Sequence, residues 1–162
     1  MVIAVGDRIP EAILIQLREG EPETVPTEAL FSGRRVVLFA VPGAFTGVCS
    51  TQHVPSFIRV ADAIRARGVD EIFCLAVNDP FVLRAWDAST GASGAGIRML
   101  ADPAGELTRA LGMDFSNADR GLIGRSKRYA MLVDQGVVKV LNVEAAPGAC
   151  EISAGETLLA AL

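Results

Sequence analysis

The sequence predicts an α/β fold in which helices cover both faces of a central mixed sheet. Its longest apolar runs, residues 36–41 and 72–77, have the composition and length of buried strands. Such runs alternate with helical patterns, and a hairpin pattern and a last helix end the chain. A length of 162 residues predicts one domain, residues 1–162, because domains usually span roughly 100–200 residues.

The elements of the first half follow from hydrophobic spacing and from signals at their ends. Residues 36–41 form a strand, and residues 55–67 form a helix because apolar residues recur along one face. Gly68 stands where a left-handed residue ends helices. A second strand at 72–77 runs into an Asn-Asp-Pro sequence, which caps a helix over 81–87. No element is assigned to the N-terminal segment.

The second half continues the alternation and then changes to a hairpin. The glycine-rich stretch 91–96 is expected to be a flexible loop, followed by a short strand at 97–100. An Asp-Pro pair begins a helix over 102–111. Residues 129–143 form a hairpin around an Asp-Gln-Gly turn. A Ser-Ala-Gly-Glu capping box begins a last helix over 153–162.

Composition excludes several classes of function. The chain carries 15 Lys and Arg against 19 Asp and Glu, so it lacks the basic excess of a nucleic-acid-binding surface. Its apolar runs are far shorter than the ~18 residues of a membrane span, which predicts no membrane insertion. Its first residues have no signal-peptide pattern, so we expect a cytoplasmic protein. Three widely spaced cysteines, Cys49, Cys74 and Cys150, do not form a secreted disulfide framework.

Chemistry is expected in the segment VPGAFTGVCSTQHVPSF, residues 41–57, which leaves a buried strand and enters a helix. Cys49 lies where that helix begins. Unpaired backbone N–H groups and the positive end of the helix dipole favour a thiolate there, and the thiolate is the reactive form of cysteine. The position therefore predicts a reactive Cys49, with an inert cysteine in a helix turn as the alternative.

Spacing tests other interpretations of the same residues. An exchange pair of the thioredoxin type would need a cysteine where Gln52 stands. His53, the only histidine, lies four residues after Cys49, so a Cys–His hydrolase dyad is conceivable. We favour a packed or hydrogen-bonded His53 that holds the start of the helix. A zinc site is not expected, because the chain has no closely spaced pair of cysteines. A phosphate-binding loop is not expected at 91–96, because that stretch lacks the lysine of such loops.

Pro42, Thr46 and Cys49 match the pattern P-x-x-x-T-x-x-C, which resembles the active-site signature of peroxiredoxins, thiol peroxidases with a thioredoxin-like fold. Gly47 replaces the usual proline after the threonine, and residues 54–57 depart from the usual Leu-Pro-Gly-Phe. Four ordered blocks resemble the type II, or peroxiredoxin-5-like, subfamily: VPGAFTGVCS, LAVNDPFVLRAW, LADPAGELTRALG and SKRYAMLVDQGVVKVLNVE.

The resemblance implies a role for each of four residues in reducing hydrogen peroxide and alkyl hydroperoxides. Cys49 would be the peroxidatic thiolate that becomes a sulfenic acid. Thr46 would hydrogen-bond the thiolate and the peroxide, and Arg128 would stabilise the charge that moves from sulfur to oxygen. Pro42 would shield the thiolate from water. No metal, haem or flavin is implied, so the reaction would need only an external thiol reductant.

The resemblance leaves the second half of the cycle open. Cys150 is the first candidate to resolve the sulfenic acid, and Cys74, expected to fill a buried strand, is the second. Glutathione with glutaredoxin, or thioredoxin, could instead reduce Cys49 directly. A homodimer that uses Phe45 and Phe81 is expected, with a role in antioxidant defence and redox homeostasis. The alternative function is a non-catalytic thiol redox sensor or a chaperone-like binder that uses the same cysteine.

Overall fold

The structure is a computed structural model that describes residues 1–162. Its nine strands are β1 (Ile13–Arg18), β2 (Glu21–Pro26), β3 (Arg35–Val41), β4 (Glu71–Ala76), β5 (Ile97–Ala101), β6 (Asp114–Asn117), β7 (Leu122–Ser126), β8 (Tyr129–Asp134) and β9 (Val137–Val143). Its five α-helices are α1 (Thr27–Phe31), α2 (Val54–Ala66), α3 (Pro80–Thr90), α4 (Glu106–Ala110) and α5 (Gly155–Ala160). None of them is long and apolar enough to cross a membrane.

Seven strands form one mixed sheet in the order β2-β1-β5-β4-β3-β8-β9. The central strands β3, β4 and β5 are parallel, because helical crossovers connect them. The edge strands arrive as antiparallel hairpins, β1–β2 on one side and β8–β9 on the other. Strands β6 and β7 form a separate two-stranded ribbon. The predicted α/β fold with a central mixed sheet is confirmed.

Each face of the sheet carries its own apolar layer, because successive side chains of a strand point to opposite sides. Residues of β3 and of the helices α2, α3 and α5 make up one layer, including Val37, Phe39, Phe57, Trp86 and Leu158. Residues of β3 and of the helices α1 and α4 make up the other, including Val36, Leu38, Leu30, Phe31 and Leu107. Helices therefore cover both faces, as the sequence predicts.

The end signals locate three of the predicted elements well. α2 covers the predicted helix, and α3 begins where Asp79 accepts hydrogen bonds from the backbone N–H groups of Phe81 and Val82, both at 2.9 Å. The predicted hairpin is β8–β9, and its turn residues Gln135 and Gly136 have φ angles of 50° and 80°. Positive φ at both central residues matches the twist of the flanking strands.

The N-terminal hairpin β1–β2 has no counterpart among the predicted elements. Its turn is Glu19-Gly20, with φ angles of 53° and 83°. Half-buried strands at the edge of a sheet carry a weak apolar pattern, and in β2 only Val25 is buried. The stretch 91–96 also differs from the expected flexible loop, because it contains a short 3₁₀ turn and the side chain of Ala92 is fully buried.

The predicted capping box at the start of the last helix is wrong. α5 begins at Gly155, and its N-cap residue Ala154 makes no side-chain cap. The hydroxyl of Ser153 donates instead to Glu144, and Glu156 pairs with Arg59 across the surface at 2.8 Å. Both side chains found tertiary partners that local spacing cannot reveal.

The helix predicted to begin at Asp102 begins four residues later, at Glu106. Asp102 is nevertheless important, because its buried carboxylate accepts from the backbone N–H and from the hydroxyl of Thr108, both at 2.8 Å. It also accepts a longer hydrogen bond of 3.4 Å from the Leu107 N–H. One carboxylate therefore ties the end of β5 to α4.

We predict that Asp102→Ala lowers the free energy of unfolding by about 2–3 kcal/mol, because it leaves buried donors on Thr108 without an acceptor. Urea unfolding at neutral pH measures the loss. Asp119→Ala, which removes an exposed carboxylate, is the matched control and should change stability by less than about 0.5 kcal/mol. Equal stabilities for the two variants would contradict the role given to Asp102.

Candidate active site

Cys49 lies in a loop-to-helix segment that leaves the carboxyl end of β3. It is fully buried and is the first residue of a π-helical turn, Cys49–His53, that runs directly into α2. Pro55 has no backbone N–H to continue an α-helical ladder to Thr51. The Val54 N–H bonds to the Cys49 carbonyl, so the turn takes the wider π form there.

The hairpin register brings Arg128 to the same place. β8 runs antiparallel to β3 and pairs Tyr129 with Ala40, so Arg128 lies beside the end of β3. Its side chain is only 2% exposed, and its Nη2 donates to the Cys49 Sγ at 3.1 Å. Its neighbour Lys127 is exposed. Cys49 and Arg128, both candidates of the sequence analysis, therefore meet although 79 positions separate them.

His53 does not contact Cys49 through a hydrogen bond, so the Cys–His dyad is absent. Its Nδ1 lies 3.0 Å from Arg128 Nη1, and its Nε2 lies 3.0 Å from the Ser153 carbonyl. Since a guanidinium only donates, Nδ1 accepts and Nε2 carries the proton. Burial and the nearby Arg128 charge lower the pKa of His53 from 6.5 to about 3, against a raising effect of the Ser153 hydrogen bond. His53 is thus a neutral support for Arg128.

Pro42, Thr46 and Arg128 line one cavity of about 510 Å³, together with Asn117 and Arg120 of the β6–β7 ribbon. The Thr46 hydroxyl donates to the Gly43 carbonyl at 2.7 Å, and it makes no hydrogen bond to Cys49. Pro42 is buried. The cavity opens beside the Arg128 guanidinium, which also contacts the sulfur. A small polar molecule that enters it therefore meets a fixed positive charge.

The other two cysteines lie in different surroundings. Cys74 is fully buried in the middle of β4, in register with Phe39 and Met99, and belongs to the same apolar layer as Cys49. Burial raises the pKa of the Cys74 thiol well above its usual value. Cys150 is half-buried in the loop between β9 and α5, and burial also raises its pKa. All three cysteines are free thiols.

The sequence analysis missed two residues around Arg128, and it missed the hydrogen bond that joins Ser50 to Trp86. The Pro147 carbonyl accepts from Arg128 Nε at 3.1 Å, and the Glu144 carboxylate organises the segment that carries Pro147. The Trp86 indole donates to the Ser50 hydroxyl at 2.9 Å, next to Cys49. Of these residues, only Glu144 had a signal in the sequence, because the predicted hairpin places it directly after its second strand.

A buried cysteine held by an arginine at the end of a sheet strand defines a thiol-based redox protein. The chain matches the Redoxin family model over residues 4–159. It is 52% identical over 164 residues to Peroxiredoxin-2E-2, chloroplastic, from Oryza sativa subsp. japonica, with 99% of this chain and 72% of the relative covered.

Solved structures agree with this match. Reduced Prx3 from Vibrio vulnificus in complex with H₂O₂ is 48% identical, with a TM-score of 0.92 and coverage of 99% of this chain and 96% of that one. Peroxiredoxin 5 from Alvinella pompejana is 35% identical, with a TM-score of 0.85 and coverage of 98% and 96%. The chain belongs to the redoxin family, as a type II peroxiredoxin with a thioredoxin-like fold, and is a thiol-dependent peroxidase.

We predict that His53 makes the stability of the protein fall in acid. The unfolded chain takes up a proton on His53 below about 6.5, whereas the folded chain does so only near about 3. Stability therefore falls as the pH drops through this window, by up to about 1.4 kcal/mol per pH unit, and His53 has no effect above it.

Urea unfolding of the wild type and of His53→Gln at about pH 7 and about pH 5 isolates this contribution. Glutamine offers a carbonyl oxygen and an N–H group but does not titrate. The wild type should lose more stability than the variant between the two pH values. The same loss in both proteins would mean that His53 is protonated in the folded state.

Proposed function

We propose that this peroxidase reduces hydrogen peroxide and alkyl hydroperoxides with Cys49 as its peroxidatic residue. The observation that carries the proposal is the 3.1 Å hydrogen bond from Arg128 Nη2 to Cys49 Sγ. It places the permanent positive charge of Arg128 next to the sulfur, beside a cavity lined by Pro42 and Thr46. A hydrogen bond from a charged donor favours a negatively charged acceptor, here the reactive thiolate.

In the proposed step the Cys49 thiolate attacks the terminal oxygen of the hydroperoxide. A sulfur–oxygen bond forms, the oxygen–oxygen bond breaks, and water or an alcohol leaves after taking up a proton. Cys49 becomes a sulfenic acid. Negative charge moves from sulfur to the leaving oxygen during the step. Arg128 can stabilise both atoms, because its planar guanidinium presents several donors without losing its charge.

Thr46 and Pro42 take positioning roles in the proposal. The Thr46 hydroxyl uses its hydrogen on the Gly43 carbonyl, so its free lone pairs can accept the O–H of a hydroperoxide. This hydrogen bond would orient the substrate with its terminal oxygen toward the sulfur. Pro42 has no side-chain polar group and limits the access of water to Cys49.

The reducing half of the cycle completes the proposal. Both electrons come from thiols, so no metal, haem or flavin takes part. Glutathione with glutaredoxin, or thioredoxin, would supply the final reducing equivalents. Cys150 is the first choice for the resolving thiol because its loop can move without breaking the sheet. Cys74 would have to leave the middle of β4, where backbone hydrogen bonds on both sides hold it.

Assembly and location are further parts of the proposal. Phe45, in the loop after β3, is 57% exposed, and Phe81, in the first turn of α3, is 49% exposed. Both would pack against a second copy in a homodimer. Burial of an exposed aromatic side chain against a partner stabilises the complex. A cytoplasmic location and a role in antioxidant defence stay predictions from the sequence.

We predict that Cys49→Ser abolishes the consumption of hydrogen peroxide, because a serine hydroxyl cannot replace the thiolate. Peroxide loss in the presence of a thiol reductant measures turnover, which also separates an enzyme from a sensor that is oxidised once. Full turnover by Cys49→Ser, with folding verified by thermal unfolding, would refute the role of Cys49.

Arg128→Ala keeps the thiol and should slow oxidation of Cys49 by more than about 10-fold.

We predict that one equivalent of peroxide gives a disulfide between Cys49 and Cys150 within one chain. Peptide mass spectrometry without reduction identifies the bond. Cys150→Ser should accumulate the Cys49 sulfenic acid, whereas Cys74→Ala should form the same disulfide as the wild type. A bond between Cys49 and Cys74, or a lone sulfenic acid in the wild type, would contradict the choice of Cys150.

A further inference from the structure

The carboxylate of Glu144 closes the loop that carries Cys150. One of its oxygens, Oε1, accepts from the backbone N–H of Glu151 at 2.7 Å. The same oxygen accepts from the backbone N–H and from the hydroxyl of Ser153, both at 2.9 Å. We call residues 144–153 the Cys150 loop. A single ionic acceptor therefore joins the two ends of this loop.

Glu144 is also the cross-strand neighbour of Arg128. The last pair of the β8–β9 hairpin is Tyr129 with Val143, so Glu144 continues the ladder opposite Arg128. Its backbone N–H donates to the Arg128 carbonyl at 3.0 Å. The acceptor that closes the loop is thus anchored to the main chain of the arginine that contacts Cys49.

The closed loop contributes two carbonyl groups to the site. The Pro147 carbonyl accepts from Arg128 Nε at 3.1 Å. The Ser153 carbonyl accepts from His53 Nε2 at 3.0 Å, which fixes the tautomer whose Nδ1 accepts from Arg128 Nη1. Apart from Cys49, each hydrogen-bond partner of the guanidinium therefore either lies in the Cys150 loop or is hydrogen-bonded to it.

We infer that Glu144 is a positioning residue with opposite effects on two steps: it aligns Arg128 for oxidation of Cys49, and it keeps Cys150 from reacting. The inference rests on the proposed function. Disulfide formation would join the Cys150 and Cys49 sulfurs, break the sulfur–oxygen bond of the sulfenic acid and release water, which takes the Cys150 proton. The Cys150 loop must open for this step, and the hydrogen bonds of Glu144 oppose the opening.

The acceptor oxygen of Glu144 carries this role, and its charge strengthens the hydrogen bonds. Partial burial raises the pKa of Glu144. The hydrogen bonds from Ser153 and Glu151 lower it by more than burial raises it, so the pKa lies below its usual value. The group is therefore an anion at neutral pH, and hydrogen bonds to a charged acceptor are roughly twice as strong as those to a neutral one. A neutral amide at this position would keep an acceptor oxygen, and alanine would remove it.

The first part of the test measures oxidation of Cys49 by hydrogen peroxide in single turnover. Trp86, the only tryptophan, is buried and bonded to Ser50, so its fluorescence reports on the segment around Cys49. Glu144→Ala should slow the oxidation by about 10-fold, and Glu144→Gln should restore most of the rate. The matched control is Glu151→Ala, whose lost side chain forms no hydrogen bond or ion pair, and it should oxidise within about two-fold of the wild type.

The second part measures alkylation of Cys150 by iodoacetamide in a Cys49→Ser background, read by peptide mass spectrometry. Glu144→Ala should speed the alkylation by about 10-fold, because the Cys150 loop opens more often. This measurement needs no peroxide. A wild type whose Cys49 is not oxidised by peroxide would refute the proposed function, while the alkylation rate would still test the closure of the loop.

A double-mutant cycle separates positioning from a general loss of structure. If Glu144 acts through Arg128, Glu144→Ala should no longer slow oxidation once Arg128→Ala is present. Additive effects of the two substitutions would overturn the inference. So would an unchanged oxidation rate in Glu144→Ala, an unchanged alkylation rate, or a Glu144→Gln variant as slow as Glu144→Ala.

Discussion

The structure depends on the burial of one charge, the guanidinium of Arg128. A buried charge is costly unless other groups hydrogen-bond to it or balance it. No carboxylate forms an ion pair with Arg128; its contacts are a sulfur, an imidazole nitrogen and a backbone carbonyl. Of these, only the Cys49 sulfur can become an anion. A sulfur anion at Cys49 would balance the charge of Arg128, and the fold must supply the two neutral acceptors.

The fold meets this requirement by bringing three remote segments to the carboxyl end of β3. The loop after β3 carries Cys49 into its π-helical turn, and the antiparallel pairing of β8 with β3 brings Arg128 beside it. The segment between β9 and α5 supplies the Pro147 carbonyl, and its Ser153 carbonyl holds His53. The same segment carries the half-buried thiol of Cys150, so the groups proposed for oxidation and the thiol proposed for resolution belong to one hydrogen-bonded unit.

Much of this arrangement could be predicted, and the failures have clear physical causes. The central strands, α2, α3 and the β8–β9 hairpin followed from local pattern, since each buries a continuous apolar stripe. The capping box at Ser153 failed because the backbone N–H and the hydroxyl of Ser153 both donate to Glu144, which holds this residue in the loop, and α5 begins two residues later. Glu144 could not be placed opposite Arg128, because an irregularity between Leu132 and Val133 shifts the hairpin register. Counting back from the turn without that bulge pairs Arg128 with Val143.

The sequence by itself determined the class of fold, and it predicted a reactive Cys49 and, through resemblance, roles for Arg128, Thr46 and Pro42. These follow from periodicity, from helix ends and from a short motif, all of which are local properties of the chain. Only the tertiary structure decided what holds Arg128, which ring nitrogen of His53 carries the proton and what closes the loop around Cys150. Those depend on hydrogen bonds between residues that lie up to 100 positions apart, and their partners are set by strand register and packing.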